Sequence, residues 1–308
     1  MVKGYVLGCI GAITYGLNPL FAMPLYAEGL DVASVLFYRY LIAILLMAAL
    51  MSRHGGFRLS RREIPAAVVA GVLFAMSSFT LFESYNYMDV GIASTILFVY
   101  PVFVALIMAG MFREKISGLT ILCMALALGG IAMLYDGDGS GLSAVGTVLI
   151  FGSAISYAIY MVAVNKSRLS RLSTLKLSFY SLLFGIIVFV IQLKGLTDLK
   201  PLPPTISAWG NLLGISIFPT VVSLIAMTVA IHCIGSVPVS ILGALEPVTA
   251  IVVGVSVLGE SLTPMSIAGV VLIITAVTML AVSRPLLHAF SRVFRHRLHL
   301  RHRHGGSL

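Results

Sequence analysis

Charge is what this chain has least of. Asp, Glu, Lys and Arg make up 10% of its 308 residues, where a soluble domain carries about 25%, so most of its surface is unfit to face water. It holds three cysteines, Cys9, Cys123 and Cys233, with neither CxxC nor metal-ligand spacing. That excludes a disulfide framework and leaves them as small, buried apolar residues. No phosphate-binding glycine loop, catalytic triad or zinc-ligand spacing occurs. ATP-driven work within the chain is therefore not expected, nor is a metal or other cofactor. No segment reads as a nucleic-acid module, so the net charge of +9 needs another explanation.

What the chain does have is apolar length. Hydrophobic residues reach 59% and the mean hydropathy is +1.05. Apolar stretches recur that are long enough, at about 1.5 Å per residue, to cross a core of about 30 Å. The pattern predicts an all-α integral membrane protein of ten spans: Gly4–Met23, Ala33–Met51, Pro65–Phe82, Gly91–Phe112, Leu119–Tyr135, Ala144–Val164, Leu175–Leu193, Ile206–Ile231, Val239–Leu258 and Met265–Val282. The first is too long, and too poor in basic flank, to be a cleaved signal peptide.

Alternating those spans from a cytoplasmic N-terminus sorts the charges. Inside fall Lys3, Arg53, Arg58, Arg61, Arg62, Arg113, Lys115, Lys166, Arg168, Arg171 and Lys176, followed by a tail with six arginines from Arg284 to Arg303. Outside fall Lys194 and Lys200, with Glu28, Asp31, Glu83, Asp89, Asp136, Asp138, Asp198 and Glu260 at or beyond the outer edge. This is the positive-inside pattern, which predicts both termini in the cytoplasm. The His- and Arg-rich tail reads as a solvated anchor of the last span, although metal or anionic headgroups would also suit it.

The two halves resemble each other. GIASTILFVYPVFVALIMAGMFREKIS (Gly91–Ser117) and VPVSILGALEPVTAIVVGVSVLGESLT (Val237–Thr263) align at an offset of 146 residues, with Ser94 on Ser240, Pro101 on Pro247 and Glu114 on Glu260. AITYGL at Ala12–Leu17 falls on AISYAI at Ala154–Ile159 at an offset of 142, and Phe37-Tyr38 falls on Phe179-Tyr180. Five spans per half is an odd number, so the second half enters the membrane in the opposite sense. The expected organisation is a first repeat at residues 1–137, an inverted second repeat at 142–284 and a basic cytoplasmic tail at 285–308. Inverted halves place a site between them that opens alternately to either face, the arrangement of a secondary transporter.

The segment LEPVTAIVVGVSVLGE (Leu245–Glu260) and its counterpart VYPVFVALIMAGMFRE (Val99–Glu114), with NPLFAMPLY (Asn18–Tyr26) and LFYRY (Leu36–Tyr40), resemble the drug/metabolite transporter superfamily, in particular its EamA-type members. The resemblance covers roughly Gly4 to Val282. It implies a multi-pass protein of the inner (plasma) membrane in which spans one to four and six to nine surround a central cavity, with spans five and ten at the periphery. It also implies secondary transport, often export, of small metabolites such as amino acids.

Candidate site residues are those that do not belong in lipid. Arg39 lies about 12 Å deep from the outside in span two, and Glu246 about 10 Å deep from the inside in span nine. Both approach the midplane, where an isolated charge costs several kcal/mol. They read either as a substrate- or proton-linked pair facing a shared cavity or as a static interhelical salt bridge. Pro101 and Pro247 remove backbone donors, which frees the carbonyls of Leu97 and Gly243 and marks a helix break at a cavity or a plain packing kink. Tyr100 takes the place of Glu246 in the first half, so one wall of the cavity is expected to be aromatic and the other acidic. Tyr15 with Asn18, and Tyr157 with Tyr160, share helix faces as cavity liners, because a buried phenol needs a polar partner.

The reading is an alternating-access transporter of amino acids or related compounds, most simply an exporter. The expected partners are the small-molecule substrate, membrane lipids and a proton on Glu246; a homodimer is left open. An intramembrane enzyme acting on a lipid-linked or small substrate is the alternative, but one acid and one arginine make no nucleophile–base set.

Overall fold

A bilayer core offers no water to backbone N–H and C=O groups, so a chain this apolar satisfies them inside helices. The computed structural model describes residues 2–54, 57–113, 118–134, 143–234, 239 and 242–279, and no strand occurs among them. The basic tail, the turn with Asp136 and Asp138, Glu114, Lys115 and Ser240 lie outside the described residues.

Seven helical runs are long and apolar enough to cross a membrane: Val2–Ala27, Val32–Ser52, Ile64–Ser84, Val90–Phe112, Ala144–Lys166, Leu175–Gln192 and Ile206–Ile231. Gly118–Met133, Leu245–Ser256 and Pro264–Met279 are apolar but shorter. Breaks within the runs give the elements. In chain order they are α1 (Val2–Gly16), α2 (Asn18–Ala27), α3 (Val32–His54), α4 (Ile64–Ser84), α5 (Val90–Leu97), α6 (Tyr100–Phe112), α7 (Gly118–Met133), α8 (Ala144–Lys166), α9 (Thr174–Gln192), α10 (Ile206–Ser216) and α11 (Ser223–Ile234). The last two are α12 (Leu245–Ser256) and α13 (Pro264–Met279).

Each break has a local cause. Pro19 stands in the first turn of α2 and Pro101 in the first turn of α6. A proline fits there because it has no N–H to leave orphaned and its φ suits a helix start. Before α12 the chain turns at Gly243 and Ala244, and Pro247 is the third residue of the new helix. Between α10 and α11 the chain loosens into a π-helical segment, Ile217–Val222, around Pro219. The Ile215 carbonyl, which would have met the N–H that proline lacks, accepts the Thr220 hydroxyl at 3.0 Å instead.

The halves are interleaved. α4 packs on α8 and α9, α1 on α11 and α12, α3 on α9 and α10, and α5 on α12. Small polar residues tie these seams: the Ser153 hydroxyl donates to the Ser77 carbonyl at 2.7 Å, and the Ser223 hydroxyl to the Gly11 carbonyl at 2.8 Å. Such close contacts between helices are typical where lipid removes the hydrophobic drive for association. α7 and α13 cross at Gly130 and Gly269, where an added Cβ on either would meet the other's carbonyl within 2.8 Å. Leu45, Leu128, Val148, Ile191 and Val271 face outward with most of their apolar surface uncovered, as side chains against acyl chains do.

Candidate functional site

Glu246 is the second residue of α12, in its first turn, where the unpaired N–H groups and the helix dipole favour a negative charge. The turn that places it is tight. The Gly243 carbonyl accepts the Glu246 N–H at 3.0 Å, so this carbonyl, expected to be free, is satisfied by the turn that the break creates. Pro247, next in the chain, is buried.

Glu246 lines a narrow pocket where five helices meet. Tyr15 and Gly16 come from the end of α1, and Asn18 and Pro19 from the start of α2. Leu81 comes from the end of α4, Tyr85 from the residue that follows it, and Ser94 from α5. The pocket joins first-half residues to one acid of the second half. Gly16 permits the approach, since a Cβ there would lie 2.5 Å from the Glu246 carbonyl and 2.7 Å from Thr249 Cβ. Asn18 is 3% exposed, and its Oδ1 is buried without a hydrogen-bond donor. Among the described residues the ion pair is Lys194–Asp198 on the surface, so Glu246 has no cationic partner there. An unpartnered amide oxygen beside an unpaired carboxylate amounts to a site wanting donors.

Arg39 does not join that pocket. It is buried, its Nε donates to Thr220 Oγ1 at 2.9 Å, and its guanidinium lies 5.1 Å from the centre of the Phe82 ring, a cation–π distance. The pairing with Glu246 weighed from depth is absent among the described residues. Depth fixes height in the membrane but not the direction a side chain takes around its helix, and the loosened turn at Pro219 presents Thr220 to Arg39 first. The phenols of Tyr15 and Tyr85 are within electrostatic reach of both charges.

Tyr100, Tyr157 and Tyr160 form a wall beside the pocket instead of lining it. Tyr100 meets Tyr157 edge to face at 4.8 Å between ring centres. Tyr157 stacks on Tyr160 at 5.8 Å, and Phe74 closes the group 5.3 Å from Tyr160. Tyr100 and Tyr157 also lie within electrostatic reach of Glu246. Sequence reasoning missed Tyr85, Ser94 and Thr220 as site residues. Ser94 had a signal in its alignment with Ser240, and Thr220 in following Pro219 inside a span.

Helices long enough to span a bilayer, broken where polar side chains converge, define a multi-pass membrane protein with a polar interior site. The model of the EamA-like transporter family matches residues 2–136 and again 144–282, and the chain belongs to that family. It is similar to the uncharacterized transporter sll1319 of Synechocystis, 31% identical over 228 residues covering 72% of this chain and 68% of that one. It is 27% identical to the pseudopaline exporter CntI of Pseudomonas aeruginosa over 216 residues, 70% of this chain and 74% of the other. It is 23% identical over 264 residues, 84% and 88% of the two chains, to the "Probable terminal-alkyne amino-acid exporter" of Streptantibioticus cattleyicolor. A solved crystal structure superposes on 91% of this chain and 96% of its own with a TM-score of 0.64 at 16% identity, a likeness of fold.

Proposed function

We propose that this protein is an alternating-access secondary transporter that exports amino acids or related amine-bearing metabolites across the inner membrane. The observation that carries the reading is Glu246, without a cationic partner among the described residues, lining a pocket shared by both halves together with Asn18, whose Oδ1 is buried without a donor. An ionised carboxylate at such depth costs about 2.5–3.5 kcal/mol on insertion scales, and an ammonium group held by Glu246 and Asn18 would offset that cost. Arg39, beyond Tyr15 and Tyr85, supplies the positive potential for the substrate's carboxylate. The aromatic cluster at Tyr100 and Tyr157 stands beside the pocket, and a substrate's apolar side chain would extend towards it. In the absence of substrate Glu246 is also the group that would carry a proton. Two relatives named as exporters support the direction.

Ten spans in two inverted repeats, 1–137 and 142–284, complete the proposal, with α7, α12 and α13 as parts of the shorter spans. The break at Phe98 and the turn at Ala244 are 146 residues apart (244 − 98), the offset of the sequence repeat. Pro101, Pro247 and Gly243 then flank matching hinges. Loop charge supports an orientation with both termini in the cytoplasm.

The test is counterflow of radiolabelled alanine, leucine, phenylalanine and histidine into liposomes holding the purified protein. Glu246→Gln preserves shape and should reduce flux at least about tenfold, the scale of one lost charge-assisted hydrogen bond. Monodisperse elution would confirm assembly of the variant. Transport by Glu246→Gln at the normal rate for every probe would remove Glu246 from the mechanism.

A further inference from the structure

The outer end of α12 leads to a second acid that the pocket does not use. Glu260 follows Gly259, whose φ of +74° is in the left-handed region, and the chain there turns back on itself. The Glu260 N–H donates to the Gly254 carbonyl at 2.9 Å. Its carboxylate crosses to the first half, where Oε1 accepts the Val90 N–H at 2.6 Å and Oε2 accepts the Gly91 N–H at 3.3 Å. Val90 and Gly91 open α5, and the residue that should cap this helix locally, Asp89, makes no side-chain cap bond. Orphan donors of a first-half helix are therefore satisfied by an acid of the second half.

The sequence leaves room for this crossing. A Cβ on Gly254 would lie 2.1 Å from Glu260 Oε2, and one on Gly91 would lie 3.0 Å from Ile251 Cγ1. Along the antiparallel pair α5 and α12, the contact sits at Val90, Gly91, Ile251 and Gly254. Ser94 and Glu246, which line the pocket, lie further along each helix, on the side away from Glu260. The seam therefore covers the pocket from the end that carries Glu260. Burial pushes the Glu260 carboxyl up, the Val90 and Gly91 N–H groups pull it back down, and the facing Asp89 charge pushes it up again.

We propose that Glu260 is the latch of the outer gate: the pocket opens to the outside only when this carboxylate releases Val90 and Gly91 and α5 parts from α12. The proposal rests on the alternating-access reading and on the orientation derived from loop charge. The probe is a cysteine at Ser94 in a full-length chain whose native cysteines are replaced. Its rate of modification by a membrane-impermeant cationic methanethiosulfonate, added to intact cells, is the readout. Two backbone hydrogen bonds to one carboxylate set the expected scale, so Glu260→Ala should speed modification by about tenfold or more. Glu260→Gln, which keeps one acceptor, should fall between Ala and the parent. Gly254→Ala, whose Cβ displaces the carboxylate, should resemble Glu260→Ala and carries the test if that variant fails to assemble. Equal rates in all of them, or acceleration seen only in inverted vesicles, would overturn the latch. Labelling needs no substrate. A normal transport rate for Glu246→Gln would thus sink the site while leaving the latch standing, and unchanged labelling would do the reverse.

Discussion

The two halves of this molecule share a pattern of sequence but not a pattern of breaks. The first-half run Val2–Ala27 stops at Leu17 and restarts at Asn18-Pro19, whereas α8, its counterpart 142 residues on, is unbroken from Ala144 to Lys166. Conversely α4 runs unbroken from Ile64 to Ser84, while the second half loosens at Pro219 in the run Ile206–Ile231. Both halves break in the proline-bearing segments, before α6 and before α12. In the proposed mechanism the symmetric breaks would serve as two hinges and the asymmetric ones would build a single site. The break at Leu17 leaves Tyr15 and Asn18 on either side of it, both lining the pocket with Glu246, and the loosened turn at Pro219 brings Thr220 to Arg39. Where Glu246 stands in the second half, the first has Tyr100, so the pocket acid and the aromatic cluster beside it are each made once.

The comparison breaks most forcefully if a proline is added where the second half has none. Met161 occupies the place of Pro19 (19 + 142) and lies inside α8. Met161→Pro would remove one helical hydrogen bond and press its ring on the carbonyl of Tyr157, at a cost of about 3 kcal/mol or more. Thermal unfolding of the detergent-purified variant should show a midpoint lower by many degrees, or no assembled protein. A midpoint within error of the parent would mean that α8 tolerates a break, and that its straightness carries no structural role.

Much of this arrangement is legible in the sequence because bilayer physics is coarse. Apolar length marks the helices, and residues out of place in lipid mark the interior, which is how Glu246, Asn18 and Tyr15 stand out in the sequence. What stays hidden is the angle around each helix. Arg39 and Glu246 are close in depth, yet Arg39 turns to Thr220 and Phe82. Tyr100 and Tyr157 reach each other instead of the pocket. The Gly243 carbonyl is hidden for another reason: proline predicts a lost donor, but only the geometry of the turn shows that the Glu246 N–H replaces it. Tyr85 escapes because it lies past the end of α4, where an aromatic residue reads as an interfacial anchor.

Glycine gives a finer test. Gly16 and its counterpart Ala158 (16 + 142) are both buried, so the second half already tolerates the methyl group that the first excludes. At Gly16 a Cβ would sit 2.5 Å from the Glu246 carbonyl, and backbone cannot retreat as a flexible side chain would. Gly16→Ala should cost about 1–3 kcal/mol by overpacking, read as a lower unfolding midpoint. It should also reduce transport, because the same clash moves Glu246. Loss of stability with transport unchanged would separate the packing of α1 on α12 from the site.

The smallest effect, of opposite sign, is expected on α8. Gly152 sits within this helix, and a Cβ there would meet nothing within 4 Å. With no clash to offset it, the loss of glycine's unfolded-state freedom and the gain in helix propensity should stabilise Gly152→Ala by about 0.5–1 kcal/mol. The unfolding midpoint should rise by a few degrees or less, with counterflow unchanged. A fall comparable to that of Gly16→Ala would place another helix against Gly152. The unbroken α8 would then rely on close approach as the broken first span does, and the contrast between the halves would reduce to the position of their prolines.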